Sequence, residues 1–348
     1  MTRVAQRSGF MPGARKIGYA VVGLGLIARN SVLPAFVHCQ KARLVALVSR
    51  DARKAAKLKA RYKAGYAYGT TEFDACLRNP EVAAVYIATP PGKHESFTVR
   101  AAAAKKHVLC EKPLAATAAQ SARMVDACRR EGVLLMTAYR KYFEPGSVYL
   151  KSLVKKLGRI DMIHTSFSER FRPGRSQAWL LDPAMAGGGP LMDLGVYCVN
   201  TARWLVEEHP MEAVAESWRH NSKIFRNVEE GIRFSLRFPS GLRVLGSSTY
   251  SAAMSSFIFV QGSQGWVSLS PAFPYEDTRV VCGNIAQRSF ERRFHPLDEF
   301  ALEIDAFASA IQGQRPVEPD GLEGHRDMVI LQAIYESAKI GRAVSINY

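Results

Sequence analysis

The segment Gly187-Gly188-Gly189-Pro190-Leu191-Met192-Asp193-Leu194-Gly195-Val196-Tyr197 sets three glycines before an apolar helical pattern carrying a carboxylate and a phenol four residues apart. Four residues is a little over one helical turn, so the pattern predicts that Asp193 and Tyr197 share a face above the glycines. Such a pair suits acid/base work beside a flat ligand, and three residues without side chains would leave that ligand room. A free phenol titrates near about pH 10, so Tyr197 needs a neighbouring cation to act near neutrality. Lys112, between Glu111 and Pro113 just past an apolar run, is the candidate. Its ammonium would favour the phenolate and polarise a reacting oxygen. Asp193 has two readings, as a holder of a substrate hydroxyl or as the group that orients Lys112. Each residue also has a plain reading. A glycine run is often a loop, an early-helix acid answers the helix dipole, a tyrosine at helical spacing packs a core, and most lysines are solvated. The joint arrangement of Lys112, Asp193 and Tyr197 favours chemistry.

These residues need elements to hold them. The apolar run Ile17 to Val22 reads as a buried strand and is followed by Gly23-Leu24-Gly25-Leu26-Ile27-Ala28, a G-x-G-x-x-A pattern at a strand-to-helix junction. In that context Gly23 makes the tight turn, Gly25 lets the backbone approach a pyrophosphate, and Ala28 lets helix pack on strand. Leu24, Leu26 and Ile27 contribute the intervening backbone N–H groups at the helix N-terminus. The next strand, Leu44 to Val48, ends at Ser49-Arg50-Asp51. Ser49, Arg50 and Lys54 read as a cradle for a 2'-phosphate, which favours NADP and leaves NAD as the alternative. Asp51 reads as the N-cap of a helix from Ala52 to Tyr62. Further strand patterns at 83–88, 108–110 and 133–138 alternate with helical ones at 94–104 and 118–130, which implies a parallel, doubly wound sheet. Its ligand edge would include Thr89, Pro90, Glu111 and Lys112. His94 reads equally as a polar residue of a helix N-terminus and as a cofactor neighbour.

The chain has 348 residues, 47% of them hydrophobic and 22% charged, a soluble composition with room for more than one core. Forty-seven Lys and Arg against 31 Asp and Glu give a formal net charge of +16. The excess is spread in small clusters without interleaved aromatics, which argues for a basic surface and against a nucleic-acid groove. Residues 1–15 read as a flexible basic arm. No apolar run has the length of a membrane span, and no h-region follows the arm, so a cytoplasmic protein is expected. The six cysteines form no C-x-x-C pair and read as reduced, and no metal site is expected.

With Gly23-x-Gly25-x-x-Ala28, Glu111-Lys112-Pro113 and Gly187-Gly188-Gly189-x-x-x-Asp193-x-x-x-Tyr197 in this order, the chain resembles the glucose-fructose oxidoreductase/inositol dehydrogenase (Gfo/Idh/MocA) family from Lys16 onward. The resemblance implies an N-terminal Rossmann domain (16–140) and a C-terminal α/β domain with an open, mostly antiparallel sheet (141–320). It also implies a C-terminal helix and tail (321–348) packing back toward the first domain. After Gly158 the runs 160–167, 214–220, 231–238, 242–250 and 257–261 read as strands. By the same resemblance Lys112, Asp193 and Tyr197 are the catalytic set, and tyrosine at 197 looks like the branch of glucose-fructose oxidoreductase, xylose dehydrogenases and dihydrodiol dehydrogenases. Leu180 stands where an arginine is common. The implied activity is hydride transfer between a nicotinamide and a sugar or polyol carbon in a homodimer or homotetramer. Two rivals are a non-catalytic dinucleotide-sensing regulator and a nicotinamide-using glycoside hydrolase. Arg140 and Trp179 are further cofactor candidates. Arg140, Lys141, Arg170, Arg172 and Arg175 could face an acidic or phosphorylated sugar, or be surface charges. Tyr139, Tyr142 and Trp179 could stack on a sugar ring, although Tyr139 suits a core equally well.

Overall fold

The computed structural model describes residues 16–172, 174, 177–275 and 277–348. The basic arm and Arg175 lie outside the described residues.

Strands Ile17–Val22 (β1), Ala42–Ser49 (β2), Tyr66–Gly69 (β3), Ala84–Ile87 (β4), His107–Glu111 (β5) and Leu135–Ala138 (β6) form a parallel sheet ordered β3-β2-β1-β4-β5-β6. The order reverses between β1 and β4, which places a ligand crevice at their carboxyl ends. Both faces are covered, as near-continuous apolar runs require. Along β1, Ala20 and Val22 join a core with Phe97, Ala101 and Met124, while Tyr19 and Val21 join one with Leu33, Ile304 and Phe307. The helix Ala52–Tyr62 begins where the sequence predicts, with Asp51 accepting from the Lys54 backbone N–H at 2.9 Å.

The second sheet contains Ile160–Ser168 (β7), Glu212–Trp218 (β8), Gly231–Arg237 (β9), Arg243–Thr249 (β10), Ser255–Gly262 (β11), Gly265–Ser270 (β12), Arg279–Ile285 (β13), Arg288–Phe294 (β14) and Val344–Ser345 (β15). Its order is β14-β13-β12-β11-β7-β10-β9-β8-β15, antiparallel throughout except for β7 beside β10. One face packs on helices Pro145–Val154, Val196–Val206 and Gly321–Ile340. The other leaves Val214, Leu245 and Phe257 exposed. Strands β12 to β15 are absent from the sequence reading. The β13–β14 hairpin escapes it because the two turn residues are Ala286 and Gln287, at φ 50° and 65°, a conformation that Asn-Gly ordinarily signals.

The segment 141–320 is not one unit. Its helix Glu299–Ile311 packs beneath the parallel sheet, where the Tyr19 hydroxyl donates to the Ile304 carbonyl at 3.2 Å. Asp305 accepts from the backbone of Gln40 at 2.7 Å and of Lys41 at 2.8 Å. The nucleotide unit is therefore residues 16–140 together with this helix, whose apolar pattern alone does not say which sheet it serves. Helix Gly321–Ile340 lies between the two units: His325 meets Ser121 at 2.9 Å, and Asp327 binds Asn200 at 2.8 Å and pairs with Arg203. Among the described residues, no helix is long and apolar enough to cross a membrane.

Candidate active site

The glycine fingerprint has the geometry that its motif requires. Gly23 has φ 90°, and a Cβ there would lie 2.6 Å from the Ala88 carbonyl oxygen. A Cβ at Gly25 would meet nothing within 4 Å, so the backbone is open where a pyrophosphate would approach. Leu24 points into the core, whereas Leu26 is exposed and Ile27 half-buried. Thr89, just past β4, has a buried hydroxyl without a hydrogen-bond partner among the described residues, a second feature that suits a ligand at this edge. These residues fit a dinucleotide.

Three expected cofactor contacts have other employment. Ser49 is buried and its hydroxyl accepts from the Asp51 N–H at 3.1 Å, which leaves exposed Arg50 and half-exposed Lys54 facing solvent. His94 is fully buried, with Nε2 2.7 Å from the Thr89 carbonyl and Nδ1 3.1 Å from that of Leu114. Burial pushes its pKa down to about 4, so the ring is neutral and its single N–H best serves the shorter contact. It ties together the loops after β4 and β5 rather than reaching the crevice. Arg140 is 2% exposed, with its guanidinium held by Glu299 and by the Phe273 carbonyl. Lys141, read either as facing substrate or as a surface charge, is likewise buried on Glu299 at 3.2 Å.

Lys112 leaves the end of β5 and reaches Asp193, donating to Oδ1 at 3.0 Å and to the backbone carbonyl at 2.7 Å. Its Nζ is 4.8 Å from the centre of the Tyr197 ring. Burial presses the ammonium pKa down, but Asp193 and then Tyr197 outweigh it and hold Lys112 above the usual lysine value, so it stays charged. Glu111 lies beneath, accepting from Tyr86 at 2.9 Å and from the Lys112 N–H at 3.2 Å. Burial raises its carboxyl, with Lys112 opposing.

Asp193 and Tyr197 do not share one regular α-helix. Leu191–Gly195 is a π-turn leading into the α-helix Val196–Val206. The wider turn leaves Asp193 half-buried at the cleft and sends Tyr197 inward, 4% exposed, with its ring stacked on Phe273 at 5.5 Å. The glycines before it also have a different purpose from the one expected. A Cβ at Gly187 would lie 2.6 Å from the Ala116 carbonyl, at Gly188 2.0 Å from the Tyr335 hydroxyl, and at Gly189 2.4 Å from the Glu229 carbonyl. Protein atoms, not a ligand ring, demand them. Glu229 anchors this corner, accepting from the N–H groups of Gly189 at 2.9 Å and Leu191 at 3.0 Å and from Tyr335 at 2.8 Å.

Beside Asp193 opens a cleft of about 570 Å³ lined by Glu169, Arg170, Arg172, Leu180, Tyr250 and Met254 among others. Trp179 is half-buried in the adjoining turn, Ala178–Leu181. Tyr139 belongs to the core, and Tyr142 packs on Trp204 at 4.6 Å. The sequence reading passes over Tyr250, whose hydroxyl binds Asp193, and over Glu229 and Tyr275, which are brought to the site by loops at the ends of strands.

The parallel sheet with its glycine turn, set against a second unit whose Asp193 and Tyr197 meet Lys112, has the plan of a two-unit nicotinamide-dependent oxidoreductase. Residues 17–139 match the model of the Gfo/Idh/MocA oxidoreductase family with NAD-binding Rossmann fold, and residues 149–268 match its C-terminal domain. The chain belongs to the Gfo/Idh/MocA family. It is 31% identical to D-xylose 1-dehydrogenase (NADP(+)) 2 of Haloferax volcanii, covering 94% of this chain and 99% of that one. It is 29% identical to D-xylose 1-dehydrogenase [NADP(+)] of Haloarcula marismortui, covering 95% and 93%. The crystal structure of aldose-aldose oxidoreductase from Caulobacter crescentus, complexed with glycerol, superposes with a TM-score of 0.91 at 34% identity, covering 95% of this chain and all of that one.

Proposed function

We propose that this protein is an NADP-preferring sugar or polyol oxidoreductase in which Tyr197 is the acid/base and Lys112 its partner. The carrying observation is the Lys112 ammonium 4.8 Å from the Tyr197 ring at the carboxyl end of the parallel sheet. The relatives named for NADP-linked xylose oxidation support the substrate class and the cofactor. The bound nicotinamide supplies a hydride acceptor or donor at C4. The backbone from Gly25 to Ile27 would hold the pyrophosphate, and Arg50 and Lys54 would meet the adenosine end. In the oxidative direction a substrate C–H bond gives up its hydride while Tyr197 takes the hydroxyl proton, leaving a carbonyl. Lys112 polarises that oxygen, and Asp193 keeps Lys112 in place through the two contacts described.

Retention of Lys112, Asp193 and Tyr197 in one cluster favours turnover over a purely sensing role. Tyr197→Phe and Lys112→Met should each lower kcat by about two to four orders of magnitude while cofactor affinity holds. Near-full rates in both would refute the assignment. Net reduction of NADP by an aldose separates a dehydrogenase from a glycoside hydrolase that recycles its cofactor. The exposed apolar residues Val214, Leu245 and Phe257 on the outer sheet face support association with a second copy, as a dimer or tetramer. Cysteines left as free thiols support a cytoplasmic setting.

A further inference from the structure

Tyr197 lies near two cations, and Lys112 is only one of them. The guanidinium carbon of Arg140, just past β6, is 5.3 Å from the centre of the Tyr197 ring. Phe273 serves both: its carbonyl accepts from Arg140 and its ring stacks on Tyr197 at 5.5 Å.

Whether Arg140 presents its charge depends on how far Glu299 cancels it. Glu299 is shared among Arg140, Lys141 and Arg279, and Arg279 also pairs with Glu144, so two carboxylates face three basic groups. Burial first, then the charge of Arg140, presses Lys141 well below the ordinary lysine range. The guanidiniums keep their protons, and Glu299, shared among three basic groups, is not paired with Arg140 alone.

The other groups around the phenol do not supply this charge. Tyr275, with its ring 4.2 Å from Arg140, is exposed and brings no formal charge. Tyr139 presents a ring edge at 6.5 Å, and burial raises its own hydroxyl. Glu111 and Glu303, joined through the Tyr86 hydroxyl, are both shifted toward the neutral acid by burial. Asp193 is engaged by Lys112 and Tyr250.

We propose that Arg140 is a positioning residue of the acid/base centre: it sets a second fixed positive charge beside Tyr197, and with Lys112 it stabilises negative charge on the phenol oxygen. This rests on Tyr197 being the acid/base. No bond to Arg140 forms or breaks; the proton exchanged is the one that passes between Tyr197 and the substrate oxygen.

The test is kcat against pH for the wild type, Arg140→Met, Arg140→Lys and Glu299→Gln, with thermal unfolding as the check on folding. Removing a unit charge 5.3 Å from the centre of the Tyr197 ring should move the rise of kcat by about one to two pH units upward in Arg140→Met, with sugar KM and NADPH affinity little changed. Arg140→Lys should recover most of that shift. Glu299→Gln, which removes the opposing charge, should move the rise toward lower pH. A purely structural role would depress kcat alike at every pH in the folded variants, leave the rise in place, and overturn the proposal. Should Arg140→Met not fold, the Glu299→Gln profile decides: a rise at lower pH supports the role, and an unmoved or higher one overturns it. Full activity of Tyr197→Phe would remove the acid/base assignment itself, whereas an inactive Tyr197→Phe beside an unmoved Arg140→Met profile overturns only the role of Arg140.

Discussion

The Tyr250 hydroxyl donates to Oδ2 of Asp193 at 3.0 Å, while Lys112 takes Oδ1 of the same carboxylate at 3.0 Å. Asp193 is thus held from both sides, an arrangement that suits orienting Lys112. Burial and then Asp193 raise the Tyr250 hydroxyl, so it remains a donor through the working pH range. Loss of a hydrogen bond to a charged acceptor is worth about 1.5–3 kcal/mol. Tyr250→Phe should therefore lower kcat/KM by about one to two orders of magnitude without unfolding the chain. Steady-state kinetics on an aldose checks this, and an unchanged kcat/KM would show that Lys112 holds Asp193 unaided.

The glycines of the two motifs should respond differently to alanine. At Gly188 the new methyl group would lie 2.0 Å from the Tyr335 hydroxyl, so Gly188→Ala should cost about 1–3 kcal/mol of stability, read as a lower thermal midpoint. At Gly25 there is open space, so Gly25→Ala should melt like the wild type yet bind NADPH more weakly. Equal melting of the two variants would contradict the packing described for the 187–189 corner.

Acid should loosen the loops tied by His94. With a folded pKa of about 4 and an unfolded value near about 6.5, the unfolded chain binds the proton first as pH falls. The neutral ring's contribution is complete above about 6.5 and is lost on the way down to about 4, amounting to about 3 kcal/mol. The stability difference between wild type and His94→Gln should shrink over that window. A difference independent of pH would mean that the ring is not buried neutral.

At the adenosine end, Arg50→Ala should raise the Kd for NADPH by about tenfold or more and leave that for NADH nearly unchanged, the size expected when one charge-assisted contact is lost. Fluorescence titration of both cofactors reads this directly. Tighter binding of NADH by the wild type would overturn the preference for NADP.

Five of the six strands of the parallel sheet are legible as short apolar runs, and the fingerprint names the first junction; Tyr66–Gly69, four residues long and partly exposed, offers no such run. Lys112, Asp193 and Tyr197 were legible for the reason that they sit beside glycines and prolines in distinctive triplets. Less could be read where tertiary contacts decide. Nothing local distinguishes Tyr250 from other strand-end tyrosines. The π-turn at 191–195 looks like ordinary helix, since its extra residue changes the face and not the composition. The glycine run was recognised but assigned to the wrong neighbour, because Tyr335 and Glu229 reach it from distant segments. Arg140 and Lys141 look like surface charges until Glu299 appears beside them.

Helix Glu299–Ile311 completes the core beneath the first sheet, although it is encoded after nearly all of the second. During synthesis on the ribosome, the nascent nucleotide-binding unit must therefore wait with the Tyr19 face of its sheet uncovered until those residues emerge. A message truncated before Glu299 would yield a product with every strand of that sheet and a permanently sticky underside, a substrate for chaperones rather than an independent module.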